Sequence, residues 1–268
     1  MKLKKLGLDV PQTIGFIIIH LVAIWGLLKT PFHVSYLRFI LALYFFKFFG
    51  FSGIHHRYFS HKAFKTSRLF QFVLSLWGNC TFMRGPHRFA SGHRHHHRYS
   101  DAENDLHSPK NGLWQGWMGW FLDKSYHESN LESVDDLKKF PELEFINNHF
   151  YFVPWVASNL IIYLLGGLPA LFWIGMLTTL LVWHVCFLTG IFFHKFGYQT
   201  YATDDDSRNN PLLCIITMGE SWHNNHHQQM HAANVGHTWK QIDLTFYIIV
   251  AFESLGLVWD VKRRHSMN

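Results

Sequence analysis

The sequence predicts an all-α membrane protein: four membrane-crossing helices in two hairpins beneath a cytosolic helical cap that carries a histidine-rich site for two metals. Three observations predict it. Long apolar runs alternate with polar, histidine-rich stretches, and 18% of the 268 residues are aromatic, with 26 Phe and 11 Trp; a soluble globule of ordinary composition has neither feature. The spacing His-x-x-His-His occurs twice, at His93–His97 and His223–His227, and residues three and four apart share a helix face. Lys and Arg collect on one side of the apolar runs, with three before residue 10, twelve within 55–143, six from 195 onward and none in the link between the last two runs.

The elements follow in order. Lys2, Lys4 and Lys5 precede an apolar run over about 11–28. It ends in Trp25, Leu27, Leu28 and Lys29 rather than in small residues, so it reads as a retained span and not a cleaved signal; His20 within it reads as a packed residue. A short link with Pro31 leads to a second span over about 36–54, whose Lys47 must face the protein interior or snorkel. His55-His56-Arg57-Tyr58-Phe59-Ser60-His61 follows directly. The segment 67–90 is apolar in patches but broken by Gly78, Asn79, Arg84, Gly85 and Pro86, which predicts an amphipathic helix at the membrane surface. Trp114, Trp117 and Trp120, at three-residue spacing, read as an interfacial belt or core packing, and 121–143 as charged and aqueous. A third span over about 148–165 turns at Gly166-Gly167-Leu168-Pro169 into a fourth over 170–193, with His184 inside it and His194 at its end. The stretch 244–259 is too short for a fifth span and carries Glu253, so a docked helix is expected. The positive-inside rule then puts both termini and the cap, 55–143 and 195–268, in the cytoplasm, within one domain spanning 1–268. Every histidine cluster falls on that side.

The chemistry is carried by imidazole. The 21 His outnumber the 18 carboxylates, so nitrogen alone can fill a coordination sphere. Cys80, Cys186 and Cys214 form no C-x-x-C pair and no disulfide framework, which fits a reducing compartment. The net charge of +6 accompanies no nucleic-acid module; it reads as topology and as attraction to anionic headgroups or substrate phosphates. His56 and His61 are five apart, about 140° around an α-helix, so they share one metal only where the helix ends, or else serve two. With His93, His96, His97, His223, His226 and His227 they make eight candidate ligands, and His194 makes nine. A tetrahedral zinc uses four, so two redox-active metals such as iron, with room for oxygen, are favoured. Such a pair at a membrane surface suits attack on an unactivated C–H bond of an apolar chain held in a dry tunnel. There is no G-x-G-x-x-G loop and no C-x-x-C-H haem site, so electrons come from outside. A metal transporter or sensor is disfavoured, because His20, Lys47 and His184, the polar residues within the spans, are not clustered.

His56-Arg57-x-x-Ser60-His61, His93-Arg94-x-His96-His97 and Gly219-Glu220-x-Trp222-His223-Asn224-x-His226-His227 resemble the three histidine boxes of the membrane fatty acid desaturases of the acyl-CoA (stearoyl, delta-9) type. Tyr99-Ser100-Asp101, Asp105-x-His107-Ser108-Pro109, His194-x-Phe196-Gly197-Tyr198, Trp239-x-x-x-Asp243 and Leu255-Gly256-Leu257-x-Trp259-Asp260 extend the likeness. The resemblance implies a cis double bond made in a saturated acyl chain, with O2 and two external electrons. It implies two irons (Fe2+/Fe3+) held by His56, His61, His93, His96, His97, His194, His223, His226 and His227, with no catalytic side chain beyond these ligands. His55, His87, His95 and His231 stay outside the set. Asp101 and Glu220 are candidates to orient ligating imidazoles. The implied partners are a fatty acyl substrate on CoA or lipid, membrane lipid, and a separate electron donor such as cytochrome b5, ferredoxin or a reductase. Four tunnel positions depart from the family: Gly190 stands where Asn is usual, Phe89 and Phe187 where Trp is common, and Met83 where Gln is common. They leave chain length and bond position open. A related histidine-box hydroxylase is the alternative; the H-x-x-x-x-H spacing of the first box favours desaturation.

Overall fold

The computed structural model describes residues 7–128 and 132–264. Three helical stretches are long and apolar enough to cross a membrane: Val10–Lys29, Tyr36–Ser60 and Val153–Phe192. The first, α1 (Val10–Lys29), starts where the Asp9 side chain accepts the Gln12 amide at 3.1 Å and Pro11 sits in the first turn; it stops just before Pro31. Only Phe16, Ala23 and Gly26 of α1 are buried, while Ile17, Leu21, Ile24 and Leu28 face outward. An outward surface this apolar matches hydrocarbon, not water.

The second helix, α2 (Tyr36–Phe49), does not end near residue 54. It runs on through Gly50–Ser60 as a π-helix, in which each amide reaches back five residues. Lys47 is fully buried and faces the interior, where its Nζ donates to Gly175 O at 3.0 Å, Thr178 Oγ1 at 3.2 Å and Thr179 Oγ1 at 2.7 Å.

The third stretch spans 40 residues, yet it is not one rod. Gly167 has φ +67, and the chain reverses there between α5 (Val153–Ala170) and α6 (Leu177–Phe192). Trp155 Nε1 donates to Thr179 Oγ1 at 2.9 Å across the hairpin. Asn159 packs so closely on Gly175 that a Cβ there would lie 2.2 Å from its amide oxygen. The hairpin packs against α1 through a stacked Phe16–Trp183 pair, 5.3 Å between centroids, and a 3.0 Å contact between Nε2 of His20 and Nε2 of His184. That contact corrects the expectation that the intramembrane polar residues stand apart: two of them meet.

The cap is laid over one end of these helices. The segment expected to be one surface helix is divided. Helix α3 (Arg68–Asn79) buries Gln71, Leu74 and Ser75 and exposes Leu69 and Val73; the chain then breaks through 80–85, and α4 (Pro86–Tyr99) carries the second histidine cluster. The stretch 121–143 is charged, but it also packs inward through Phe121, Leu122, Tyr126, Val134, Leu137 and Leu143. The short α7 (His223–Gln228) carries the third cluster, and α8 (Leu244–Ser254) is capped by Asp243, whose Oδ1 accepts the Phe246 amide at 3.0 Å. Eleven residues make roughly 16 Å of helix, too little to cross a bilayer core. The all-α expectation needs one amendment: β1 (Lys65–Thr66) pairs antiparallel with β2 (Val258–Trp259), tying the C-terminal segment to the chain just after the first histidine box.

Two buried cations give a contrast in stability. Thr178 and Thr179 also donate to carbonyls of their own helix, so a neutral side chain at 47 strands no partner. Arg57 instead separates the buried carboxylates of Glu220 and Asp243, each 2.9 Å from its guanidinium. Removing one partner of such a cluster costs roughly 3–5 kcal/mol. Arg57→Met is therefore expected to lower the thermal midpoint in detergent far more than Lys47→Met, followed by tryptophan fluorescence; equal midpoints would contradict this.

Candidate metal centre

The first box is positioned by the π-helix. The His61 amide donates to the His56 carbonyl at 3.1 Å, an i→i+5 bond. Winding at that pitch brings residues five apart to nearly the same face, and the two rings stand 4.8 Å apart. The α-helical estimate of 140° fails here because the backbone is not α-helical.

The nine predicted imidazoles converge in two groups, each with its ligand atoms within 4.8 Å of one another: His56, His61, His93, His97 and His226, and His96, His194, His223 and His227. The division follows helix geometry. Helix α4 gives its i,i+4 pair, His93 and His97, to the first group and His96 to the second. Helix α7 does the reverse, giving His223 and His227 to the second and His226 to the first. His55, His87, His95 and His231 join neither. His95 Nε2 pairs with the Asn104 carbonyl at 3.0 Å, and His231 Nδ1 with the His61 carbonyl at 3.1 Å.

Carboxylates fix four of the rings. Glu220 Oε2 lies 2.8 Å from Nδ1 of His56, Asp105 Oδ2 2.9 Å from Nδ1 of His96, Asp101 Oδ2 2.6 Å from Nδ1 of His194, and Asp205 Oδ2 2.5 Å from Nδ1 of His227. A carboxylate only accepts, so Nδ1 carries the proton and Nε2 is left as a lone pair. Burial would raise the Glu220 pKa, but His56 and Arg57 hold it down to about 2. Asp101 and Glu220 were singled out in the sequence; Asp105 and Asp205 were not. Asp105 stands in the Asp105-x-His107-Ser108-Pro109 segment without being read as an imidazole's partner, and Asp205 hides in the run Asp204-Asp205-Asp206.

The inward nitrogens are close. Nε2–Nε2 distances are 3.0 Å for His56–His226, 2.8 Å for His61–His93, 3.0 Å for His93–His97, 3.0 Å for His97–His226 and 3.1 Å for His194–His223. At such distances one ring of a pair can donate Nε2–H to the other, or both can turn a lone pair toward one cation. Nitrogens about 2.1 Å from one ion stand about 3.0 Å apart at right angles and about 3.4 Å apart in a tetrahedron. The spacing therefore suits ions of higher coordination number, and both groups can hold a metal.

An apolar cavity of about 60 Å³ abuts the groups. All four tunnel candidates, Met83, Phe89, Phe187 and Gly190, line it. So do Trp120 and His107, which the sequence did not single out as cavity residues. Of the tryptophan triplet, Trp120 is buried there while Trp114 is 56% exposed, so the three do not share one environment. A Cβ on Gly190 would stand 3.5 Å from Gly116 O and 3.8 Å from His107 Nδ1, ordinary contact distances.

A sequence profile for the fatty acid desaturase family matches residues 31–251. The chain belongs to the fatty acid desaturase family. It is 33% identical to an acyl-CoA 5-desaturase of Anemone leveillei over 91% of this chain and 79% of that protein. It is 31% identical to an sn-1 stearoyl-lipid 9-desaturase of Anabaena variabilis over 94% and 93%, and 36% identical to a hex-5-enoyl-[acyl-carrier protein] acetylenase of Moorena producens over 77% and 70%. This desaturase-family chain is thus an oxidoreductase of lipid metabolism, and its relatives differ in acyl carrier and in the bond they act on.

Burial depresses the pKa values of His61, His93, His97, His223 and His226 well below 6.5, and that of His227 to about 4 despite Asp205. His96 is the exception, raised by Asp105 against the effect of burial. For the six depressed rings the unfolded chain takes up protons first as pH falls. Their stabilisation is present above the unfolded value of 6.5 and is lost as pH falls toward 4. The metal-free protein is expected to lose thermal stability steeply over that window, measured by fluorescence melting; a flat profile would contradict the neutral, buried state of these rings.

Proposed function

We propose that this protein is a multi-pass membrane desaturase that introduces a cis double bond, at the delta-9 position, into a saturated acyl chain. The reading is supported most by one juxtaposition: two groups of imidazole nitrogens meet an aromatic-walled, apolar cavity. One iron is held by His56, His61, His93, His97 and His226, the other by His96, His194, His223 and His227. A bound iron pair supplies the oxidising power that an unactivated C–H bond demands. Two hydrogens leave the chain, and with two further electrons and two protons O2 becomes two waters. The electrons come from a separate donor, such as cytochrome b5, ferredoxin or a reductase.

The protein's own part is placement. Glu220, Asp101, Asp105 and Asp205 hold the imidazoles in the tautomer that aims Nε2 inward. Phe89, Phe187, Met83 and Trp120 keep water from the cavity and set which methylenes reach the metals. The cavity is small, so these side chains rotate aside to admit a long chain. The reversal at Gly167 supports two spans in Val153–Phe192 and hence four in all, with both termini and the cap in the cytoplasm by the distribution of Lys and Arg. The delta-9 assignment draws on the near full-length match to a stearoyl-lipid 9-desaturase.

The test is expression in a host fed saturated fatty acids, with mass spectrometric localisation of new double bonds. A delta-9 monounsaturated product is expected, abolished by His96→Ala while the protein still purifies as a monodisperse species. Phe187→Ala is expected to shift the chain-length profile. A hydroxylated product would overturn the assigned reaction, and an unchanged profile in His96→Ala would overturn the assigned site.

A further inference from the structure

A second cavity, of about 300 Å³, lies on the other side of the aromatic wall. Its lining includes Asp9, Phe16, Phe121, Tyr151 and Trp183, together with Arg84. The two cavities adjoin. Met83, next to Arg84, lines the first, and Phe121 of the second stands 5.1 Å from Phe187 of the first.

Arg84 is held under strain in the break between α3 and α4, with φ +78, a backbone conformation unfavourable for a residue with a side chain. The residue is 6% exposed. Its guanidinium carbon lies 6.0 Å from the Phe121 ring and 5.8 Å from the Tyr151 ring. Among the described residues neither Nε nor Nη2 has a hydrogen-bond acceptor. The ion-pair partner of Arg84 is Asp9, whose Oδ2 lies 3.8 Å from Nη2, beyond hydrogen-bond range, while Asp9 Oδ1 caps α1. A buried guanidinium with free donors is expensive. Nε and Nη2 form one edge of the planar fork, the edge that grips carboxylates and phosphates through two parallel bonds. This chain uses that edge elsewhere: Arg68 holds Glu142 through Nε and Nη2, both at 2.7 Å. At Arg84 the same edge has no hydrogen-bond acceptor among the described residues, and the residue lines an aromatic cavity.

We propose that Arg84 is a binding site for the oxyanion, carboxylate or phosphate, at the head of an acyl amphiphile, whose chain runs past Phe121 and Phe187 toward the histidine groups. The proposal rests on the acyl-chain reading of the first cavity and deepens it by assigning where the head is anchored. A fixed head makes the distance from Arg84 to the metals the ruler that selects the carbon to be oxidised. Asp9 works against the ligand, by repulsion and by competing for Nη2.

The test uses the purified full chain in maltoside micelles at alkaline pH. Binding is read as quenching of tryptophan fluorescence, Trp183 being on the cavity wall. The probes are 9,10-dibromostearate against the dibrominated alcohol, and a dibromostearoyl lysophosphatidate against the matching monoacylglycerol. At least one anion is expected to bind about tenfold or more tighter than its neutral partner. Arg84→Gln should erase that preference to within about twofold, and Arg84→Lys, which keeps charge without the fork, should retain only part of it. Asp9→Asn, which keeps a capping side chain, should strengthen it. Preference for stearate alone identifies a carboxylate head, and preference for the lysophosphatidate alone a phosphate; either upholds the site. Equal binding of anions and neutral partners, or a preference unchanged in an Arg84→Gln protein of normal melting temperature, overturns it while leaving the acyl reading intact. Failure of every probe to bind overturns both.

Discussion

The structure depends on holding nine imidazoles close together and pointed at one another. That arrangement is unfavourable in the bare chain: the rings are taken out of water, and Nε2 atoms approach each other to about 3 Å. Four carboxylates make it tenable. By accepting a hydrogen bond from Nδ1–H of His56, His96, His194 and His227, they remove the choice of tautomer and leave only Nε2 to face inward. Each carboxylate is itself restrained. Glu220 is gripped by Arg57 and accepts from Ser52. Asp101 accepts from Ser108 and from the Asp206 amide. Asp105 accepts from the Asp101 and His107 amides, and Asp205 from Ser207 and Thr203. The second sphere thus stitches together α2, α4, the end of α6 and α7. Ring orientation and cap assembly are one problem with one solution.

The support is uneven. In the group of four, His96, His194 and His227 each have a carboxylate on Nδ1; in the group of five only His56 does. A carboxylate behind an imidazole makes it a stronger donor. The smaller group therefore has fewer nitrogens, more of them backed by a carboxylate, and more room for a non-protein ligand. The first cavity is bordered by His56 and His93 of one group and His96 and His223 of the other, so an acyl chain in it meets both.

Much of this was legible in the sequence because ligation imposes short-range spacing. The i,i+3 and i,i+4 pattern at His93–His97 and His223–His227 states that a helix presents three rings to one side, and the structure keeps that geometry on α4 and α7. How the rings divide was not legible, since α4 and α7 must be docked before it is settled which ring meets which. The His56–His61 spacing left two outcomes open, and the structure takes the one at a helix end: His61 follows Ser60, the last residue of the π-helix, and joins the group of His56; the π-helical winding itself has no marker in the sequence. Asp105 and Asp205 were invisible because a carboxylate behind a histidine needs proximity in space and not in sequence. The meeting of His20 and His184, 164 residues apart, is the same kind of fact. The Gly-Gly-Leu-Pro turn was readable because a reversal between apolar helices needs a residue that tolerates positive φ, and Gly167 supplies it.

The departures at the tunnel positions now have a common physical sense. Gly190, Met83, Phe89 and Phe187 line one cavity, and none carries a strong polar group. Phe in place of Trp removes both volume and an indole N–H, and Met in place of Gln exchanges an amide for a flexible thioether. The polar atoms lost are ones that would fix a substrate near its reacting carbons. A hydrocarbon segment offers them no hydrogen bond, so on the proposed reading these four positions would hold an acyl chain by shape alone, and shape alone is indifferent to sliding along the chain axis. Selectivity for one C–C bond then has to come from the ends of the slot: from what stops the methyl end, or from what holds the head. The aromatic wall of Phe121 and Phe187 leads to Arg84, whose buried Nε and Nη2 have no hydrogen-bond acceptor among the described residues.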